Sequence, residues 1–173
     1  CYPVKGTGVV NRSSNPLRLP STNDGAGNPS GLGRSINAWG RIGVGVKAYD
    51  RMDGQANIYG VKYIRLFVDD EPVFSSTIRR FSFADTRMLN SFTDFEDWKK
   101  RRSFYMKSFV EPCNTLPHYE TKDSGYININ EERPYRLRYE LEDHAGNRLT
   151  YRFTVNGQKQ DVPQLPPCGN WMA

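Results

Sequence analysis

Chemistry in this 173-residue chain would have to come from two histidines, three cysteines, four clusters of carboxylates and two basic runs. His118 is followed by Glu120 and Asp123, and His144 is preceded by Glu142 and Asp143. Zinc catalysis needs three protein ligands and an open fourth position, and no pair here stands at i, i+4 or as HxH. Cys113 precedes His118 by five residues, but Pro112 and Pro117 frame a loop, not the helix start that would make a reactive thiolate. GxSxG is absent. The carboxylates fall at Asp69-Asp70-Glu71, Asp94-Glu96-Asp97, Glu131-Glu132 and Glu140-Glu142-Asp143. A glycosidase needs two of them across a cleft. A turn accounts for the first cluster, and negative charge at a helix start accounts for the second. Cys1, Cys113 and Cys168 lack metal-ligand spacing. Cys113 and Cys168 either pair in an oxidising compartment or remain thiols.

The basic runs are Arg79-Arg80 and Lys99-Lys100-Arg101-Arg102, with Trp98, Phe104 and Tyr105 beside the second. Aromatic faces interleaved with cations can stack on and neutralise a polymer. The competing reading, which the pattern favours, is a solvated helix face whose aromatics pack inward. A binding face, where one exists, is expected on Arg79, Arg80, Trp98, Lys99, Arg101 and Arg102. The net charge of +5 and pI near 9.2 are mild and select no partner, and nucleic acid is not expected. The segment 25–31 is glycine-rich, but no apolar strand precedes it and no GK[ST] follows, so it is read as loop. No apolar run is long enough for a membrane span.

The elements that must position these groups are mostly strands. Residues 135–156 alternate with period two. Tyr135, Leu137, Tyr139 and Leu141 fall on one face and Arg136, Arg138, Glu140 and Glu142 on the other. Leu149, Tyr151, Phe153 and Val155 repeat the pattern against Arg148, Thr150, Arg152 and Thr154. Between them, Gly146 and Asn147 are expected to take the positive φ of a tight turn. A one-residue slip would turn every aromatic outward, so the register is set by the pattern.

Residues 2–10 read as an edge strand, because Pro3 cannot donate to a ladder. Residues 11–35, rich in Asn, Ser, Pro and Gly, read as a long irregular loop. Strands are expected at 41–49, 61–68, 73–77, 78–83, 104–110 and 126–130, with turns at Asp53-Gly54 and at 69–72. A helical insertion is expected at about 84–102, opened by a Thr93/Glu96 capping box and preceded by a turn through Met88, Leu89 and Phe92. Residues 158–173 hold three prolines and read as tail or linker. The sum is a mainly β chain: an immunoglobulin-like antiparallel two-sheet sandwich over 36–157 with one short helical insertion.

Several stretches taken together resemble one region of longer proteins. They are YPVKGTGVVN (2–11), KAYDRMDGQANIYGVKYIRLFVDDEPVFSS (47–76), RFSFADTRMLNSFTDFEDW (80–98), FYMKSFVEP (104–112) and GYININEERPYRLRYELEDHAGN (125–147). In order and pattern they are similar to the domain that follows the peptidase domain in lysostaphin-like (LytM-type) zinc metallopeptidases of Bacteroidetes. The catalytic domain of that family carries HxxxD and a later HxH, which hold zinc for cleaving peptidoglycan cross-links. Here His118 is followed at i+4 by Lys122 and His144 by Arg148, so no catalytic or zinc residue carries over.

The resemblance therefore implies a non-catalytic accessory domain in the cell envelope, packed against or positioning a peptidase domain of the same polypeptide. Zinc is implied in that parent domain and no cofactor in this chain. Cys1 is then an interior residue of the parent. The alternative is a free-standing envelope module, lipidated at Cys1, that binds peptidoglycan or another polymer.

Overall fold

A computed structural model describes residues 1–23, 29–47, 50–51, 58–59, 61–77, 93–101, 105–112, 114 and 119–163. The chain is mainly β. Its strands are β1 (Tyr2–Val10), β2 (Ser21–Asn23), β3 (Pro29–Leu32), β4 (Ile36–Gly43), β5 (Gly45–Val46), β6 (Asp50–Arg51), β7 (Ile58–Tyr59), β8 (Tyr63–Val68) and β9 (Glu71–Thr77). Helix α1 (Phe95–Arg101) follows. Then come β10 (Met106–Lys107), β11 (Tyr119–Thr121), β12 (Ile127–Ile129), β13 (Pro134–Glu142) and β14 (Arg148–Gly157).

Eight strands join into one curled sheet in the order β1-β4-β14-β13-β8-β9-β11, with β12 also paired to β4. The β13–β14 hairpin lies at its centre. Tyr135 stands opposite Val155, Leu137 opposite Phe153, Tyr139 opposite Tyr151 and Leu141 opposite Leu149, so apolar side chains meet across the ladder. Its turn differs from expectation in one respect. Gly146 has φ +89, whereas Asn147 acts through hydrogen bonds. The Asp143 carboxylate accepts from the backbone N–H groups of Ala145 and Asn147 and from Asn147 Nδ2 at 2.7–2.9 Å. An Asx-type turn supplies the reversal that a second positive φ would otherwise provide.

The β8–β9 hairpin turns on Asp69 and Asp70, both at positive φ, and β9 already begins at Glu71. Two positive φ values match a tight turn to the twist of its strands. Asp69 tolerates this geometry because its carboxylate is satisfied, accepting from the Arg136 N–H at 3.0 Å and from Arg133 at 2.6 Å.

Strand β4 is the pivot of the sheet. Its first residues, Ile36–Ala38, pair in parallel with Val155–Gly157 of β14. Its later residues, Gly40–Ile42, pair antiparallel with β12. On the other edge, β1 advances from Pro3 to Gly8 while β4 moves only from Ile42 to Gly40, leaving a bulge. Gly40 sits at this step with φ +78, and a Cβ there would lie 1.9 Å from the Thr7 carbonyl oxygen. Only glycine fits both the dihedral and the approach. Beneath the pivot, Val10, Ala38, Ile42, Leu66, Ile129 and Val155 are wholly buried. Tyr139 is buried too, and its hydroxyl donates to Ser108 Oγ at 2.8 Å.

Three expectations are corrected. The 11–35 segment carries the β2–β3 hairpin, and its Leu17, Leu19 and Leu32 pack on the core. A three-residue exposed strand such as β2, Ser-Thr-Asn, leaves no period in a sequence. The strand expected at 41–49 starts earlier, at Ile36, and breaks at Val44, whose carbonyl accepts from Ser108. The helix is capped one residue later than the Thr93/Glu96 box implies. Asp94 Oδ1 accepts the Asp97 N–H at 3.1 Å, while Thr93 bridges to Met106. The expected turn at Asp53-Gly54, the strand at 78–83 and the helical turn at Met88, Leu89 and Phe92 lie outside the described residues.

Candidate functional site

Of the six residues expected to form a binding face, Arg79, Arg80 and Arg102 lie outside the described residues. Trp98, Lys99 and Arg101 lie on α1, where Lys99 is exposed. Cys113, Cys168 and His118 also lie outside the described residues, and His144 is exposed in the β13–β14 turn. Among the described residues, no group of three or more His, Cys, Asp or Glu is arranged to hold a metal ion. No described helix is long and apolar enough to cross a membrane.

Two concavities flank β14. The first, about 670 Å³, opens on its inward face. Leu141, Leu149, Tyr151 and Phe153 form one wall, and Leu17, Leu19 and Leu32 form another. Cys1 and Tyr2 lie at its edge. Leu149 is 38% exposed although its place in the alternation points it inward. At this end β13 borders one edge of β14, but β4 pairs only with Val155–Gly157, and no described strand pairs with the other edge at Leu149.

At the edge of this cavity a polar cluster anchors α1. Tyr2 donates its hydroxyl proton to Asp94 Oδ2 at 3.0 Å, and Arg18 donates to the same oxygen at 2.6 Å. Arg18 Nε lies 3.2 Å from Asp97 Oδ1, and the guanidinium sits over the Tyr105 ring. Burial pushes the Asp94 carboxyl up. The Asp97 N–H, Arg18 and Tyr2 outweigh it and hold the group below its ordinary value of 3.8. Burial, then the Asp94 charge, raises the Tyr2 hydroxyl well above its usual value. Asp94 is thus a satisfied carboxylate that docks a helix start. It lacks the raised pKa of a general acid.

The second concavity, about 540 Å³, opens on the outward face of the hairpin. Arg136, Arg138 and Arg152 approach it from the sheet, and Arg34 approaches from the segment after β3. Ser30, Ser35, Thr154 and Asn156 complete a polar lining. Arg138 and Arg152 stand directly opposite one another across the β13–β14 ladder. Sequence reasoning placed Arg136, Arg138 and Arg152 on a solvated face and attached no role to them. The signal was available: two arginines at i, i+2 on one strand and a third at the paired position of its partner. Arg34 could not be added without the β2–β3 hairpin.

No family model, curated protein or solved structure matches this chain.

Proposed function

We infer that this chain is a non-catalytic accessory domain of a cell-envelope zinc metallopeptidase that cleaves peptidoglycan, and that it packs against the peptidase domain of the same polypeptide. The resemblance over residues 2–157 motivates the reading, together with the lack of HxxxD and HxH in the sequence. The observation that carries it is the open inward face of β14. Among the described residues, Leu149, Phe153, Leu17, Leu19 and Leu32 line an apolar concavity that stays open. An open apolar wall is what a packed neighbour would bury. Zinc and catalysis belong to that neighbour in this reading.

The finer fold assignment, an immunoglobulin-like sandwich, belongs to the same proposal. Its support is the step of β4 from β14 to β12 and the parallel β4–β14 pair, which together bring two faces of the sheet over one core. The reading frame upstream of the Cys1 codon is the test. An in-register HxxxD and HxH are expected. A signal peptide and lipidation site ending at Cys1 would overturn the reading in favour of a free-standing envelope module.

A further inference from the structure

We propose that the groove formed by Arg34, Arg136, Arg138 and Arg152 binds a doubly charged phosphate group, as in a phosphomonoester or a pyrophosphate. The arrangement carries an electrostatic cost. Arg138 and Arg152 face each other across an antiparallel pair, and like charges in that position repel. Arg136 adds a third guanidinium on the same face of the hairpin, diagonal to Arg152. Arg34 closes the groove from the far side.

Carboxylates cancel this charge only in part. Arg138 pairs with Glu140 and lies 3.5 Å from Asp70, and its guanidinium is held over the Phe67 ring at 4.1 Å. Arg34 and Arg152 form no ion pair among the described residues. Asp70 and Glu140 offset Arg138, and Asp69, shared with Arg133, faces Arg136, so the uncompensated charge of the groove rests on Arg34 and Arg152, which suits an anion carrying two charges.

The chemistry of the lining selects the same class. Guanidinium forks match tetrahedral oxyanions through paired N–H donors, and several forks around one point suit a group with three charged oxygens. The hydroxyls of Ser30, Ser35 and Thr154 supply neutral donors along the rim. Arg138, fixed by Phe67, Glu140 and Asp70, is the preorganised member, so it loses little freedom when a ligand arrives. The groove shares only Leu32 and Phe153 with the apolar cavity, and none of its four arginines lines that cavity, so the assignment does not depend on what packs there.

The test titrates residues 1–173 with inorganic phosphate and with pyrophosphate at low ionic strength, followed by calorimetry and by backbone amide shifts. Citrate and sodium chloride serve as comparison anions. Saturable shifts are expected at Arg34, Arg136 and Arg152, stronger at pH 7.5 than at pH 5, because the second phosphate proton leaves near pH 6. Arg152→Ala and Arg34→Ala should each weaken binding about tenfold or more, the usual effect of losing a charge-assisted hydrogen bond. Lys5→Ala, at an exposed position of β1, should leave it unchanged. Citrate binding with phosphate failing to bind would overturn the phosphate assignment. A response to phosphate that survives Arg34→Ala and Arg152→Ala, or that chloride reproduces at equal ionic strength, would overturn the site.

Discussion

The two ends of β14 carry the same alternation and meet different fates. At Val155–Gly157 the strand is bordered by β4, and Val155 is wholly buried. At Leu149–Phe153 no described strand continues that edge, and the inward wall opens into a cavity. Alternation decides which way a side chain points. Whether anything covers it is decided by a partner element distant in sequence. The difference between the ends therefore hangs on β4 and on the loops that β1 and α1 hold beside it.

The largest expected effect breaks the covered end. Gly40→Ala would force a Cβ against the Thr7 carbonyl and strain a residue at φ +78. The dihedral and the close approach together should cost about 2–5 kcal/mol. Urea unfolding should show it, together with loss of amide protection at Val155 and Ile129. A cost below about 1 kcal/mol would mean that the pivot at Gly40 does not hold the covered end together.

Next comes the anchor of the open end. Asp94→Ala removes the cap of α1 and the acceptor of Tyr2 and Arg18. A cap is worth about 1 kcal/mol and hydrogen bonds to a charged group somewhat more, so a loss of about 2 kcal/mol is expected by thermal or urea unfolding. The pH dependence has a fixed sign. Asp94 is held below its ordinary 3.8, so its contribution is complete above that value and is lost as pH falls through the lower, folded-state value. Asp94→Asn, which keeps the cap and removes the charge, should flatten that part of the acid limb. An unchanged acid limb in Asp94→Asn would place the titration elsewhere; Asp69, also held low, is the next group to replace.

A smaller effect is expected in the shared core. Tyr139→Phe strands the buried Ser108 hydroxyl that its phenol now satisfies. The cost of such an unmade bond is about 1–3 kcal/mol, less whatever a relocated Ser108 hydroxyl recovers. The double change Tyr139→Phe with Ser108→Ala should restore much of the loss. If it adds a second full increment, the two groups are not coupled.

The legible parts of this molecule are those where local pattern and tertiary outcome agree. The β13–β14 register followed from eight alternating apolar residues. The β8–β9 hairpin followed from Asp69-Asp70. The helix start was found to within one residue, because Thr93 and Asp94 are both good caps and only the neighbours Arg18 and Tyr2 choose between them. The β2–β3 hairpin was not legible. Its strands are exposed on all described faces of β2 and owe their pairing to tertiary neighbours, including the Tyr151 hydroxyl that donates to Gly31 O at 2.6 Å. For the same reason neither concavity could be read from the chain. Each has one wall from the hairpin, which is visible in the sequence, and one from the 11–35 segment, which is not.

The smallest expected effect on stability is the sharpest test of the comparison. Leu149 is 38% exposed and stands opposite Leu141 at the uncovered end, whereas Val155 is fully buried at the covered one. Leu149→Asp should therefore change the stability of the isolated chain by about 0.5 kcal/mol or less, the usual range for an exposed position. Val155→Asp, in the same alternation six residues on, should prevent folding, because it buries an unpaired charge. If a peptidase domain covers the open wall, Leu149→Asp becomes costly in the longer polypeptide, where it places a charge in an apolar contact. Equal tolerance of Leu149→Asp in the isolated chain and in the longer polypeptide would leave the cavity open to solvent in both, and the packing proposal would fail. A stability loss confined to the longer polypeptide would locate the contact at the Leu149 end of β14.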